Sequence, residues 1–211
     1  MKQREFILLS HVRQHATSYL FMLVLFLIGI VFGAIVVNSM NFTQKEDLFY
    51  YLERFFSQLQ QGQTMSKQEI LQSSFLSHIK FLLFLYVLGL SIIGIPIIWM
   101  LLFSKGLMMG FSVGFLVNQL GWKGLMLAAA AVAPQNLIVI PLYLIAGTSA
   151  MLFSVTLLRK LIAKRSPLSL RRYFIQYSVI FLILLGSSFA ASMLETFLSN
   201  PLLSLLVNEL L

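Results

Sequence analysis

The chain has 211 residues, of which 59% are hydrophobic and only 10% are charged. A soluble domain carries about 25% charged residues, so this composition excludes an ordinary soluble domain and indicates an integral membrane protein. Cysteine is absent, which excludes a disulfide framework, a thiolate metal site and a cysteine nucleophile. The net charge of +8 would suggest nucleic-acid binding in a soluble protein, but the basic residues flank apolar segments here, so we expect no nucleic-acid partner.

Residues 1–18 combine spaced apolar side chains with basic ones, which predicts a cytoplasmic helix lying at the membrane interface. The apolar run that follows is longer than the core of a signal peptide and has no clear cleavage site. We therefore expect it to stay attached to the protein as a membrane span.

Long charge-free runs recur along the chain, and a helix of roughly 20 apolar residues crosses a hydrocarbon core of about 30 Å. Helices satisfy their own backbone hydrogen bonds where water is absent. The sequence therefore predicts an all-α, polytopic transmembrane bundle that forms a single integral membrane domain over residues 1–211. The predicted spans are 19–38, 80–104, 106–122, 137–158 and 173–194.

The segment 39–79 is predicted to be extracytoplasmic and to form two helices at the membrane surface. Thr43 followed by Glu46 has the capping-box spacing that starts a helix, and Ser66 followed by Glu69 repeats it. The first helix carries an apolar stripe, which is typical either of a helix resting on the outer leaflet or of a helix that binds a partner. The residues of this stripe, the candidate partner-binding set, are Leu48, Leu52, Phe55, Phe56 and Leu59.

The uncharged run 124–158 would be about 50 Å long as one straight helix, which exceeds the hydrocarbon thickness. Prolines inside it remove backbone donors, so we predict a half-helix at 124–133 followed by a broken or re-entrant turn. Such a turn can form a substrate site in a transporter, or it can be structural, with polar side chains capping the two half-helices; the structural interpretation is favoured here. The residues of the predicted break are Pro134, Gln135, Asn136 and Pro141.

Basic residues predict the orientation of the chain in the membrane. They are concentrated in the N-terminal segment and in the loop before the last span, and both regions are therefore expected in the cytoplasm. This places the N-terminus inside and the C-terminus outside, with Lys105 at a short inner turn and Lys123 at a short outer turn. The basic residues of the loop are Arg159, Lys160, Lys164, Arg165, Arg171 and Arg172.

No ionisable side chain falls inside a predicted span, although membrane enzymes and ion-coupled carriers commonly place such groups there. The sequence also lacks the zinc-protease, Walker and dinucleotide-binding motifs. We therefore expect no catalytic residue, no cofactor and no metal. Gly106, Gly110 and Gly114 lie four residues apart on one helix face, which indicates close helix packing within the chain or, as a second possibility, a homo-oligomer.

Three strings in the sequence resemble the stage II sporulation protein M family of endospore-forming bacteria. They are FGAIVVNSMNFTQKEDLFYYLERFF (32–56), FSKGLMMGFSVGFLVNQLGWKGL (103–125) and APQNLIVIPLYLIAG (133–147). The first string is long and specific, and the likeness covers nearly the whole chain.

The resemblance implies a multi-pass protein of the mother-cell membrane that localises to the sporulation septum and the engulfing membrane, and that is needed for forespore engulfment. It also implies a non-enzymatic anchor for peptidoglycan hydrolases. Its implied partners are the stage II sporulation proteins D and P, together with membrane lipid.

The wider family often has a Pro-His-Gly element followed by Glu, where this chain has Pro134, Gln135, Asn136 and Val139. The ionisable pair is missing, which puts in doubt any proton-linked role inferred from distant relatives. A small membrane transporter or channel that uses the break at Pro134 is the alternative function.

Overall fold

The computed structural model describes residues 15–61, 66–162 and 168–210, and nearly all of them are helical, with no strand in these ranges. The predicted all-α, polytopic class is therefore confirmed. The helices are α1 (Ala16–Ser39), α2 (Phe42–Gln60), α3 (Lys67–Gly89), α4 (Gly94–Ile162), α5 (Leu168–Leu194) and α6 (Asn200–Leu210), and a π-helical turn (Glu195–Ser199) joins the last two. The predicted interfacial helix at 1–18 lies almost entirely outside the described residues.

Four of the helical stretches are long and apolar enough to cross a membrane: Ala16–Ser39, Lys67–Gly89, Gly94–Ile162 and Arg171–Val207. The third is bent at Gly121, whose φ of 57° and ψ of −129° are rarely accessible to a residue with a side chain. At 1.5 Å per residue its first arm (94–120) is about 40 Å long and its second arm (122–162) about 60 Å long, so each arm can cross by itself. The described residues therefore contain five helical segments long enough to cross a membrane.

The first turn between crossings lies at residues 90–93, between α3 and α4. The Gly94 N–H donates to the Ser91 carbonyl at 3.2 Å, and Pro96 lies in the first turn of α4, where the missing N–H of a proline costs little. The predicted spans 80–104 and 106–122 are therefore wrong in their boundaries. Lys105, expected at an inner turn, lies in the middle of the first arm instead.

The predicted break at Pro134 is also corrected. The helix continues through Pro134 and Pro141, and the one residue with non-helical backbone angles inside α4 is Gly121. The Asn136 side-chain amide donates to the Val132 carbonyl at 2.7 Å and so bonds its own helix. The predicted half-helix 124–133 and the predicted span 137–158 are parts of one second arm.

Helix α1 packs in parallel against the first arm of α4 through glycines on both helices. A Cβ atom on Gly33 would overlap the carbonyl oxygen of Leu107, and a Cβ atom on Gly110 would overlap that of Ile30. Small residues let transmembrane helices approach this closely. The glycine face at 106, 110 and 114 is thus occupied by the chain's own first helix.

The largest apolar core joins α3, both arms of α4 and α5. The end of this core near the 90–93 turn contains an aromatic stack in which the Tyr177 ring lies 4.5 Å from the Phe153 ring and 5.1 Å from the Tyr86 ring, between centroids. The Tyr177 hydroxyl donates to the Tyr86 carbonyl at 2.9 Å, so its polar end is satisfied inside the bundle.

A second, smaller core lies at the opposite end of the bundle, where α2 and α6 pack against both arms of α4 near Gly121. Helix α2 starts at Asn41, whose N–H donates to the Gln44 side chain at 3.1 Å, and not at the predicted Thr43–Glu46 pair. The capping box at the start of α3 is present, since the Glu69 N–H donates to the Ser66 hydroxyl at 3.3 Å.

Candidate functional site in the membrane

Ionisable side chains of two helices meet inside the bundle. His78 on α3 and Lys105 on the first arm of α4 each lie about 16 Å along the helix axis from the turn at 90–93. Both helices are long and apolar enough to cross a membrane. Ionisable residues inside such helices are rare and mark functional sites by default.

Lys105 is held against aromatic rings. Its Nζ lies 4.7 Å from the centroid of the Phe81 ring and 5.5 Å from that of Tyr143. Within the part of the chain that the structure describes, Lys105 forms no ion pair with a carboxylate. The ring faces compensate part of the desolvation of the ammonium group, but they do not neutralise its charge.

His78 is bonded through one nitrogen only. Its Nδ1 and the Tyr143 hydroxyl lie 2.7 Å apart, and Tyr143 is only 5% exposed. The other nitrogen, Nε2, is buried and has no hydrogen-bond partner among the described residues. Because a buried polar nitrogen without a partner is costly, this atom is available to a further donor or acceptor.

A carboxylate lies about one helical turn further from the 90–93 turn, at the level of Ser74. Glu195, the first residue of the π-helical turn, accepts a hydrogen bond from the Ser74 hydroxyl. With its amide nitrogen turned towards this carboxylate, Gln135 donates to Glu195 at 2.7 Å. The carboxylate is thus held by side chains of α3 and α4, and Ser74 also bonds Ser192 of α5 at 3.2 Å.

These residues form one group, which we call the intramembrane cluster: His78, Lys105, Tyr143, Glu195, Gln135 and Ser74. Its two halves adjoin on α3, because His78, which is bonded to Tyr143, and Ser74, which is bonded to Glu195, lie one helical turn apart. The cluster contains an amine, an imidazole, a phenol and a carboxylate, all of which can hold or exchange a proton. Among the described residues, no group of three or more His, Asp or Glu side chains could hold a metal ion.

The predicted partner-binding stripe on α2 is divided between two environments. Phe56 is buried, and it packs in one cluster with Leu203 and Val207 of α6. Leu52 and Leu59 pack against the same cluster, and Leu48 is half-buried. Phe55 is 46% exposed and is the member of the stripe that remains open. The chain's own C-terminal helix thus covers most of the stripe.

The residues of the predicted break have separate surroundings. Gln135 belongs to the intramembrane cluster, whereas Asn136 bonds its own helix and Pro141 is exposed. Sequence reasoning missed Lys105 and His78 because it ended a span at Lys105. The signal that could have found them is the segment Gly89–Gly94 with Pro96, which closes one helix and opens the next.

Comparison with known proteins identifies the family. Searches of curated proteins and of solved structures found no match. A protein-family model described as stage II sporulation protein M matches residues 22–200, a range that includes every member of the intramembrane cluster and helices α2 to α5. On this evidence the chain belongs to the stage II sporulation protein M family and is a membrane protein related to sporulation.

Proposed function

We propose that this protein is a non-enzymatic membrane scaffold that holds peptidoglycan hydrolases at the sporulation septum for septal wall remodelling and forespore engulfment. Catalysis rests with the partners, for which the proposed candidates are the stage II sporulation proteins D and P. Membership of the family supports this proposal at the level of sporulation and membrane location. The structural observation that supports docking is the outer layer formed by α2 and α6.

The outer layer can present a rigid helix face to a partner. Because Phe56 is buried against Leu203 and Val207, α2 is fixed to the bundle by an apolar contact. The neighbouring face of α2 carries Tyr51 and Phe55, one helical turn apart and 67% and 46% exposed. Aromatic side chains on a pre-organised helix are typical anchors of protein interfaces.

The alternative function, a small transporter or channel, depended on a broken helix at Pro134. The backbone there is helical, which removes the irregular carbonyls that would have formed a substrate site. The scaffold is therefore the function we retain.

The test is capture of the two hydrolases by the full-length membrane protein from sporulating cells. Changing Tyr51 and Phe55 to Ala should lower capture by tenfold or more, since loss of about 1.4 kcal/mol is one decade in affinity. Gln58→Ala, at an exposed position on the same helix, is the matched control and should leave capture unchanged. Undiminished capture by the double variant at equal membrane abundance would remove this face from the recruitment mechanism.

A further inference from the structure

We propose that the bundle carries a binding site for an anionic phospholipid, at the end where the 90–93 turn meets the last turns of α4. An apolar groove holds part of an acyl chain, and basic residues beside the groove bind the headgroup phosphate. This end lies opposite the outer layer formed by α2 and α6, so the lipid site does not depend on which partners that layer binds.

The groove is an open apolar cleft of about 580 Å³ between the turn that joins α3 to α4 and the end of the second arm. Ligand sites of proteins commonly measure about 300 to 1,000 Å³ and are lined mainly by apolar side chains. The Ser91 carbonyl already accepts a hydrogen bond from the Ser154 hydroxyl at 2.6 Å. The groove therefore suits a hydrocarbon chain better than a polar molecule. Its lining residues are Leu90, Ser91, Ile92, Ile93, Leu157 and Leu161.

The walls of the groove are open to their surroundings. Ile93 at the turn is 76% exposed, and Leu161 on the second arm is 70% exposed. Exposed apolar surface bordered by polar residues marks an interaction site. At the end of a helix that crosses a membrane, the molecule in a position to cover such surface is a lipid.

Basic side chains of two helices lie at the level of the groove. Arg159 and Lys160 lie on α4 between the two leucines that line the groove. The Lys160 Nζ is 4.3 Å from the ring centroid of Tyr173, so the start of α5 is beside this part of α4. Arg171 and Arg172 directly precede Tyr173 and are exposed. Two helices thus bring positive charge to one place.

The carboxylates of the described chain lie elsewhere. They belong to α2, to the first turn of α3, to the π-helical turn and to α6. Arg159, Arg171 and Arg172 therefore have no carboxylate at this end of the described ranges. Long basic side chains near helix ends extend towards the headgroups, and basic pockets between transmembrane helices bind anionic headgroups. The charge beside the groove is thus complementary to a lipid phosphate.

An anionic phospholipid uses both the groove and the arginines. A free phosphate ion would bind the arginines and leave the groove empty. A zwitterionic lipid would fill the groove, but its own positive group would be repelled by the arginines. The combination of the two features therefore selects a lipid with a net negative headgroup.

The test measures which lipids contact this end of the full-length protein in vesicles. A fluorophore is attached to Ile162→Cys, a 74% exposed position next to Leu161 in a chain that has no other cysteine. Lipids with brominated acyl chains quench the fluorophore on contact. In mixtures of phosphatidylglycerol and phosphatidylcholine, with bromine on one lipid at a time, the quenching gives the relative affinity of the anionic lipid at this position.

The matched reporter is Met100→Cys on the first arm, which is 69% exposed and does not line the groove. Each reporter compares two lipids that carry bromine at the same depth, so the depth of the fluorophore cancels. The preference for phosphatidylglycerol at position 162 should exceed that at position 100 by about tenfold or more, because each basic residue near anionic headgroups contributes a factor of roughly five.

Variants separate the two parts of the site. Arg159→Gln with Arg172→Gln removes two exposed positive charges beside the groove and should abolish most of the excess preference at position 162. Lys45→Gln with Arg54→Gln removes the same charge from α2 at the opposite end and should leave the excess unchanged. Leu161→Gln makes one wall of the groove polar and should also lower the excess.

Three outcomes would overturn the lipid site. Equal preference at positions 162 and 100 would show only a general enrichment of anionic lipid around the protein. An equal loss in the α2 charge variant would assign the effect to net charge, and an unchanged excess in Leu161→Gln would remove the groove. Millimolar inorganic phosphate should not relieve the quenching; if it does, the arginines form a site for a free anion and not for a lipid.

Discussion

Tyr143 determines the chemistry of the membrane interior at the scale of single residues. It is buried, its ring faces the Lys105 ammonium group, and its hydroxyl bonds His78. The ring and the hydroxyl therefore stabilise two ionisable side chains from different helices. Removing the hydroxyl would leave His78 with neither of its nitrogens bonded among the described residues.

We predict that Tyr143→Phe lowers stability by about 1 to 3 kcal/mol, because it leaves a buried imidazole unsatisfied while the ring is preserved. For a chain of this size the expected fall in melting temperature is about 2 to 4 °C per kcal/mol. The measurement is thermal unfolding of the purified protein in detergent. Tyr51→Phe, at an exposed position on α2, should unfold as the parent does, and an equal fall in both variants would contradict the role given to the buried hydroxyl.

At the scale of helices, the closest packing in the bundle joins α1 to the first arm of α4. Glycines at 29 and 33 meet glycines at 106 and 110, and carbonyl oxygens of one helix occupy the space that side chains would need on the other. In lipid this packing replaces the hydrophobic effect as the force between helices. Gly186 on α5 is different, because a Cβ there would meet nothing within 4 Å.

The packed glycine and the open glycine should respond in opposite ways to substitution by alanine. Gly33→Ala should force α1 away from α4 and lower stability by about 1 to 3 kcal/mol, the usual effect of overpacking. Gly186→Ala should be neutral or slightly stabilising, because alanine favours helix over glycine. Resistance to unfolding by a denaturing detergent is the measurement, and a tolerated Gly33→Ala would refute the close approach of these helices.

At the scale of the whole molecule, the five candidate crossings and the distribution of basic residues predict an orientation. The turn at 90–93 and the basic residues near Arg159 lie at one end of the bundle, where the Ser154 hydroxyl donates to the Ser91 carbonyl at 2.6 Å. Helices α2 and α6 lie at the other end. Positive loops remain in the cytoplasm, so we predict that the end with the 90–93 turn faces inward.

Single cysteines in this cysteine-free chain test the orientation and the position of the turn together. In intact cells, an impermeant thiol reagent should label Gln61→Cys and should not label Ile93→Cys. After the membrane is opened, Ile93→Cys should react, because this side chain is 76% exposed at the turn. Labelling of Ile93→Cys in intact cells would invert the topology.

The all-α class and the amphipathic helix α2 follow from local features of the sequence. Apolar runs of sufficient length must be helical in lipid, and spacing at three and four residues predicts the face of α2 that is covered. The family resemblance also required nothing beyond the sequence. The sequence of the stripe could not show which residues cover it, because Leu203 and Val207 lie far away along the chain.

The positions of the helix ends and the polar interior were decided by tertiary structure. Charge and hydropathy did not locate the turn at 90–93, because the uncharged apolar run 81–104 continues through it. They did not locate the bend at Gly121 either. Lys105 was consequently assigned to a turn, and its meeting with Tyr143, the residue bonded to His78, could not be foreseen. Composition and periodicity determine which segments enter the membrane, whereas only the packing of those segments decides which polar groups meet inside it, because residues far apart in sequence become neighbours only when the helices pack.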